Sequence, residues 1–264
     1  MKIATLNINN VVKRLDNLLA WLDASRPDVV CLQETKVVDA LFPAQALAEA
    51  GYSSVFKGER TYNGVALLAR GVEPVVTRRS LPGDADDAMS RYIEAAVGGV
   101  LIGCIYAPNG NPVPGPKFGY KLAWLERLNR HAQGLLEASV PVALVGDFNV
   151  VPTDFDIYRH KSRGRDAVIQ PEARAAFRRL LDQGWTDALR TLHPDDPQFT
   201  FWDYFRDAWG RDAGMRLDHF LLSPALAGRL KAGGVDRWAR GEEGASDHAP
   251  AWIELKPKRG AARR

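Results

Sequence analysis

Short apolar runs rich in Val, Ile and Leu recur along the whole chain and predict buried β-strands. These runs occupy residues 3–8, 29–32, 64–68, 93–97, 100–106, 142–145, 215–222, 233–238 and 251–255. The strands expected between about residues 52 and 106 follow one another with only short turns between them. Such an order favours antiparallel pairing over a doubly wound parallel sheet.

Apolar residues at helical spacing predict four helices between these strands. The helical patterns cover residues 12–24, 43–50, 118–137 and 171–183. Pro171 suits a first helical turn, and Gly184 suits the position just after a last turn. The pattern therefore predicts two packed, mainly antiparallel β-sheets with helices outside them. No composition shift or internal repeat divides residues 1–255, so we expect one domain followed by a basic tail over residues 256–264.

The composition is that of an ordinary soluble globular protein, with 46% hydrophobic and 25% charged residues. A net charge of +3 is too small to indicate a polyanionic partner by itself. No run approaches the roughly 18 apolar residues of a membrane-spanning helix, and the N-terminus lacks a secretory pattern. Cys31 and Cys104 stand in apolar runs and are expected to be core thiols, so we expect a cytoplasmic protein.

Two stretches are predicted to be long irregular loops. Residues 108–116 alternate Pro with Gly and Asn, which disfavours both helix and strand. The second loop, residues 152–170, contains a basic run of Arg159, His160, Lys161, Arg163 and Arg165. This run is either a solvated face or a set of phosphate contacts, and the sequence leaves both possibilities open.

Polar residues stand at the ends of most predicted strands, where catalytic groups are often carried on a rigid scaffold. They are Asn7, Gln33, Glu34, Thr35, Tyr106, Asp147, Asn149, Asp218, His219, Ser246, Asp247 and His248. Carboxylates, amides and a His are what metal-assisted phosphate hydrolysis requires. Such a reaction needs hard oxygen ligands for Mg²⁺, a group that orients water and cationic help for the developing charge.

The segments that carry these residues resemble exonuclease III and the abasic (AP) endonucleases of the endonuclease/exonuclease/phosphatase superfamily. The matching segments, in the family's order, are residues 7–9, 32–36, 63–66, 146–149, 152–154 and 246–248. The resemblance implies a four-layered α/β sandwich, the fold shared with deoxyribonuclease I. Residues 33–36 and 106–110 favour the DNA-repair branch. One departure is Phe201, which stands where exonuclease III has a Trp.

The resemblance also implies roles for individual residues. The implied metal site binds Mg²⁺, with Mn²⁺ as a substitute, through Asn7, Glu34, Asp147, Asn149, Asp247 and His248. The implied catalytic groups are Tyr106, Asp147, Asn149, Asp218 and His248. Asp147 would either orient the attacking water or supply a proton to the leaving 3′ oxygen, while His248, paired with Asp218, would donate to the phosphate. His219 alternates to the other strand face and is interpreted as structural.

Seven residues are candidates for DNA contact: Asn109, Lys117, Lys121, Phe201, Trp202, Arg206 and Arg216. Lys117 and Lys121 are one helical turn apart and would meet phosphates. The aromatic segment of Phe201, Trp202 and Trp209 would stack on an extruded sugar, with core packing as the alternative.

The resemblance thus implies a monomeric Mg²⁺-dependent DNA repair nuclease acting on duplex DNA with abasic sites or blocked 3′ ends. Two alternatives differ in class. One is another phosphoesterase of the same fold, acting on inositol phosphates or sphingomyelin, although no lipid-insertion segment is evident. The other is a catalytically silent nucleic-acid-binding regulator. The presence of all the candidate metal and proton-transfer residues argues against this alternative.

Overall fold

Two six-stranded β-sheets pack face to face in the computed structural model, which describes residues 1–158 and 164–257. The strands are β1 (Lys2–Asn7), β2 (Val29–Gln33), β3 (Tyr52–Lys57), β4 (Val65–Arg70), β5 (Val75–Arg78), β6 (Tyr92–Val97), β7 (Val100–Tyr106), β8 (Val142–Asp147), β9 (Thr186–Asp187), β10 (Asp218–Leu222), β11 (Leu230–Val235) and β12 (Ala251–Leu255). The spatial order is β11-β12-β1-β2-β4-β3 in the first sheet and β5-β6-β7-β8-β10-β9 in the second.

Helices cover both outer faces and complete four layers, as predicted. They are α1 (Leu15–Ser25), α2 (Ala44–Glu49), α3 (Pro116–Glu137), α4 (Pro171–Asp182), α5 (Ala188–Leu192), α6 (Pro224–Ala227) and α7 (Arg237–Arg240). Helices α1 and α2 pack on the first sheet, whereas α3 and α4 pack on the second. In the described ranges, no helix combines the length and apolar character needed to span a bilayer.

The centre of the molecule is the apolar layer between the sheets, to which Ile3, Val145 and Phe220 contribute fully buried side chains. Cys31 and Cys104 are free thiols in this same layer, which confirms the prediction from their apolar neighbours. Burying one such large apolar side chain stabilises the fold by about 1.5–3 kcal/mol. The strand ends are therefore held on a rigid, close-packed support.

Each sheet contains one parallel pair at its centre, and the other strand pairings are antiparallel. In the first sheet Asn7, the last residue of β1, pairs with Gln33, the last residue of β2. In the second sheet Tyr106, at the end of β7, pairs with Asp147, at the end of β8. Parallel strands end at the same edge of their sheet. The polar residues that end these four strands are therefore brought to one end of the sandwich.

Two late strands differ from their predicted bounds. The strand expected from residue 215 begins only at Asp218, because Met215 pairs instead with Ile157 and Phe201 in isolated bridges. The strand expected over residues 233–238 is β11, which ends at Val235 and is followed by α7.

Strand β11 ends where its partner begins, because Val235 pairs with Ala251, the first residue of β12. The next residue, Asp236, accepts hydrogen bonds from the indole nitrogens of Trp21 and Trp252, at 2.8 and 2.9 Å. The bond from Trp21 fixes the chain at that position against α1.

Candidate active site

A cleft of about 490 Å³ opens where the strand ends of the two sheets meet. Its lining includes the predicted residues Glu34, Tyr106, Asn109, Asp147, Asn149, Phe201, Arg206, Asp247 and His248. Asn7 and Asp218 lie just beneath this lining and are hydrogen-bonded to it. Residues that are more than 200 positions apart in the sequence thus share one site.

Glu34 is the carboxylate at the end of the first sheet. Its Oε1 accepts hydrogen bonds from Asn7 Nδ2 at 2.8 Å and from the Tyr106 hydroxyl at 2.9 Å. Its Oε2 lies 2.6 Å from the Lys36 ammonium, which also donates to Asn9. Burial alone would raise the pKa of Glu34, but the Lys36 charge and the Asn7 hydrogen bond outweigh it and lower the pKa. Glu34 is therefore an ionised carboxylate at neutral pH.

Asp147 is the buried carboxylate at the end of β8. Its Oδ1 accepts from the Asn149 backbone N–H at 2.8 Å, and its Oδ2 accepts from the side-chain amides of Asn7 and Asn149 at 3.0 and 3.2 Å. Burial raises the pKa of Asp147 to about 7, with the neighbouring charge of Asp218 adding to the effect and that of His248 opposing it. The group is thus poised to exchange a proton near neutral pH.

His248 and Asp218 form a buried ion pair, with 2.7 Å between Nδ1 and Oδ2. The other ring nitrogen lies 4.0 Å from Oδ2 of Asp147. Burial opposes protonation of the ring, but the charges of Asp218 and Asp147 together raise the pKa of His248 to about 10. Both ring nitrogens therefore carry protons. An imidazolium has no free lone pair with which to bind a metal, so this state of His248 suits a hydrogen-bond donor to phosphate, and its role as a metal ligand stays a prediction.

Contacts with the end of β1 and with the Phe201 segment hold the His248 segment in place. The Ser246 hydroxyl donates to the backbone carbonyl of Asn7 at 2.6 Å, which joins the segment to the end of β1. Asp247 accepts a hydrogen bond from Asn9 Nδ2 at 3.2 Å. The backbone of Phe201 pairs with His248, and the two rings are 5.0 Å apart. His248 is therefore fixed from the first sheet and from the Phe201 loop.

The oxygen donors on the first-sheet side suit a divalent ion that keeps most of its waters. Glu34 supplies one ionised carboxylate, and Asn7 supplies an amide beside it. Within residues 1–158 and 164–257, no group of three or more His, Cys, Asp and Glu side chains has metal-binding geometry. A closed metal cage is thus lacking in these ranges. One carboxylate with waters and substrate oxygens is the arrangement that Mg²⁺ favours, so the residues present fit this ion.

An apolar wall adjoins the polar end of the cleft. It consists of Val168, Phe201, Met215 and Leu217, and Arg206 lies at its rim. Pockets of this kind, with an apolar surface beside a few convergent polar groups, bind ligands that have both kinds of surface.

Lys121 does not reach the DNA-facing surface that was predicted for it. Its side chain is fully buried, whereas Lys117, one turn earlier in α3, is exposed. The reason is that the Lys121 ammonium turns inward and donates to the backbone carbonyls of Asn109 and Asn149. Burial lowers the pKa of Lys121 to about 7, although the charges of Asp147 and Asp166 oppose this shift. A direct phosphate contact by Lys121 is excluded in this conformation.

Trp202 and Arg216 are likewise buried and do not contact DNA directly. The Trp202 indole donates to Asp212 at 2.9 Å and packs edge-on against the half-buried ring of Trp209. Trp202 and Trp209 therefore pack against each other in the protein, which is the alternative to stacking on an extruded sugar. Arg216 is held by Asp156 and Asp187 at 2.7 and 2.8 Å. Buried cations need such partners, and the two carboxylates pair with its Nε and with one of its terminal nitrogens.

The remaining predicted contacts fall into two groups. Asn109, Lys117, Arg165 and Arg206 are exposed, and Phe201 is partly exposed in the cleft. Arg159, His160, Lys161 and Arg163 lie outside the described residues.

His219 is structural, as interpreted, because it is fully buried and its Nε2 lies 2.9 Å from the Val150 carbonyl oxygen.

Two residues of the site region were not assigned a role from the sequence. Lys36 is an ion-pair partner of Glu34, and its position two residues later in a matching segment was the available signal. Phe205 is 75% exposed and directly precedes Arg206, which lines the cleft. No pattern distinguished it from its aromatic neighbours, since exposure in a loop depends on distant parts of the chain.

Comparisons with known proteins agree with this geometry. Residues 4–248 match the model of the Endonuclease/Exonuclease/phosphatase family. Exodeoxyribonuclease III of Haemophilus influenzae is 35% identical, over 97% of this chain and 100% of that protein. A 3′-5′ exonuclease (NExo) from Neisseria meningitidis superposes with a TM-score of 0.93 at 38% identity, covering 97% of this chain and 100% of that one. An AP endonuclease from Archaeoglobus fulgidus superposes with a TM-score of 0.92 at 34% identity, covering 97% of this chain and 99% of that one.

Proposed function

Because the chain belongs to the exonuclease III and AP endonuclease branch of the endonuclease/exonuclease/phosphatase family, we propose that it hydrolyses DNA phosphodiesters at abasic sites and at 3′ ends. The observation that carries the proposal is the shared cleft. A carboxylate with a pKa near 7 lies there 4.0 Å from a buried imidazolium, and an ionised Glu34 lies beside them.

We assign the cationic role to His248. With Asp218 holding Nδ1, the Nε2–H is directed into the cleft and is available to a phosphate oxygen. The buried ion pair keeps the imidazolium in place before substrate arrives, so little reorganisation is needed as charge develops. The Tyr106 hydroxyl and the Asn149 amide line the same cleft and would donate to the phosphate in exchange for their present partners, Glu34 and Asp147.

We assign the general-base role to Asp147. All three of its close contacts donate hydrogen bonds to it, which makes its carboxylate an acceptor. In the proposed step, Asp147 takes a proton from water as the water oxygen bonds to phosphorus. The bond from phosphorus to the 3′ oxygen breaks with its electron pair on that oxygen, which then takes the proton held by Asp147 and leaves as a hydroxyl. A pKa near 7 suits a base that works at neutral pH.

Mg²⁺ is the metal that we propose for the first-sheet side, with Glu34 and Asn7 as the residues that hold it. When bound, it would neutralise charge on the phosphate oxygens. Mn²⁺ accepts the same oxygen ligands and is expected to substitute.

The apolar wall supports abasic DNA as one substrate. A deoxyribose that has lost its base is small enough to leave the helix and lie against Phe201, Met215 and Leu217 while its phosphate meets His248. The exposed ring of Phe205 suits insertion beside the vacated position, because an apolar wedge offsets part of the lost stacking. In this proposal Phe205, and not Trp202, is the aromatic residue that contacts the DNA beside the abasic site.

Purified protein assayed on three duplexes tests the proposal. The substrates carry an internal abasic site, a recessed 3′ end or a 3′ phosphate, each with Mg²⁺ and with EDTA. We expect Mg²⁺-dependent cleavage of the abasic strand and release of nucleotides from the recessed end. If none of the three duplexes is processed and the protein instead cleaves an inositol phosphate or sphingomyelin, it is a different phosphoesterase of this fold.

A further inference from the structure

Lys121 carries a buried ammonium directly beneath the cleft, and the proposed reaction leaves it without a role. Its side chain has 0% exposure, and its Nζ donates to the carbonyl oxygen of Asn109 at 2.9 Å and to that of Asn149. The chain is built closely around this side chain. A Cβ atom added at Gly110 would lie 2.7 Å from the Lys121 Cδ, and Gly110 has a φ of +94°.

Stability does not explain a lysine at this position. Taking an ammonium out of water is unfavourable, and a buried charge is often replaced by an apolar residue without loss of stability. Over residues 1–158 and 164–257, no carboxylate lies within ion-pair distance of Lys121. The two carbonyls are therefore its direct partners, and a methionine of similar length would fill the same space at a lower cost.

The two carbonyls belong to the two loops that carry the asparagines of the site. Asn109 Nδ2 donates to Asn149 Oδ1 at 3.2 Å, and Asn149 Nδ2 donates to Asp147 Oδ2 at 3.2 Å. A chain of polar contacts thus runs from the ammonium through both asparagines to the proposed base. Asn149 itself has a φ of +50°, a conformation that its surroundings must hold in place.

We propose that Lys121 is a positioning residue: its ammonium ties the loops of Asn109 and Asn149 together and so holds the Asn149 amide against Asp147. The inference rests on the proposed function, since it concerns the rate of the same reaction. Lys121 has no exposed atom and touches neither DNA nor the reacting phosphate. Its loss should therefore lower kcat and leave KM almost unchanged.

The test compares Lys121→Met with Asn129→Ala. Asn129 is a matched control because it is a buried polar residue of the same helix, and its amide donates to the Ala176 carbonyl at 3.0 Å, on the α4 side. Both variants are first checked for folding by circular dichroism and thermal melting. They are then assayed on an abasic duplex well below either melting temperature.

We expect Lys121→Met to lower kcat by about 10- to 100-fold, the effect of a small displacement of a catalytic group, with KM within about twofold. Asn129→Ala should change only the melting temperature. If Lys121→Met turns over like the wild type, or loses only thermal stability as the control does, the inference is wrong. A wild type that does not cut DNA at all would instead refute the proposed function.

Asn109 provides a second test that does not depend on one substitution. In a double-mutant cycle of Lys121→Met and Asn109→Ala, the losses in kcat should fall short of additive, because both residues act through Asn149. Full additivity would contradict the inference. If Lys121→Met does not fold, Lys121→Gln takes its place in the cycle, since it keeps N–H donors on a neutral side chain.

Discussion

The Nδ1 atom of His248 lies 2.7 Å from Oδ2 of Asp218, and both side chains are buried. The two residues are 30 positions apart in the sequence, on strand β10 and on the segment before β12. Their contact keeps a positive charge in a place where burial alone would remove it. We expect phosphate binding in the cleft to depend on the positive charge that this ion pair maintains.

Asp218→Asn is predicted to lower kcat by about 100-fold or more, because the ring loses the charge that keeps it protonated. The pKa of His248 is raised to about 10, so the wild type keeps the imidazolium through neutral pH. Without Asp218 the pKa falls, and the proton is lost at lower pH. Relative to the wild type at the same pH, turnover of the variant should therefore decline as the pH rises from 6 to 9. Asp86→Asn, in an exposed loop, is the control and should match the wild type.

Arg216 and Arg206 are predicted to respond in opposite ways to replacement by Met. Arg216→Met leaves the buried carboxylates of Asp156 and Asp187 short of a partner and should lower the free energy of unfolding by about 3–5 kcal/mol. Arg206→Met should leave stability almost unchanged, because Arg206 is exposed. It should reduce the log-log salt slope of DNA binding by about 0.9, the value of one phosphate contact. Urea unfolding and salt titrations distinguish the two outcomes, and the reverse pattern would restore Arg216 as a DNA contact.

Phe205→Ala is predicted to raise KM for an abasic duplex by about tenfold, equivalent to about 1.4 kcal/mol, since an inserted aromatic ring offsets part of the cost of unstacking a distorted helix. The effect on a single-stranded abasic oligonucleotide should be smaller, because no stack has to be opened. Phe155→Ala is the matched control, as Phe155 is also an exposed phenylalanine, but neither of its chain neighbours lines the cleft, whereas Phe205 is next to Arg206, which does. Equal losses on duplex and single strand would argue against a wedge.

Glu94→Gln is predicted to reduce stability in a pH-dependent way without affecting turnover. Burial would raise the pKa of Glu94, but hydrogen bonds from His131, Thr77 and Tyr92 lower it to about 2. A lowered pKa contributes stability that is full above the unfolded value of 4.5 and is lost as the pH falls toward 2. The variant should lose about 1–2 kcal/mol at pH 7, after solvent screening is allowed for, and show a flatter profile between pH 5 and 2. Chemical denaturation across this range is the measurement.

The sequence predicted the strand ends well because a buried strand has a clear apolar signature and its end is marked by the first polar residue. Asn7, Glu34, Tyr106 and Asp147 were all found in this way, and parallel pairing then brings them together. The prediction was weaker wherever burial depends on a distant segment.

Lys121 and Arg216 illustrate this limit. Both are long cationic side chains, and such residues are normally exposed. The carbonyls and carboxylates that draw them inward come from loops up to 60 positions away. Residue type and spacing carry no information about those partners. The exposed Phe205 was missed for the same reason, as Trp202 beside it is covered by segments that lie later in the chain.

Metal-dependent hydrolysis by Glu34 and Asp147 is best tested by single-turnover cleavage of an abasic duplex. The proteins compared are the wild type, Glu34→Gln and Asp147→Asn, each with Mg²⁺ and with EDTA. Each substitution removes one carboxylate charge and preserves side-chain volume, so the fold should remain intact. We expect rapid cleavage by the wild type with Mg²⁺ and none with EDTA. We expect a loss of at least about 100-fold in each variant, with DNA binding retained. Cleavage by Asp147→Asn at the wild-type rate, or wild-type cleavage that persists in EDTA, would show that the proposed chemistry is wrong.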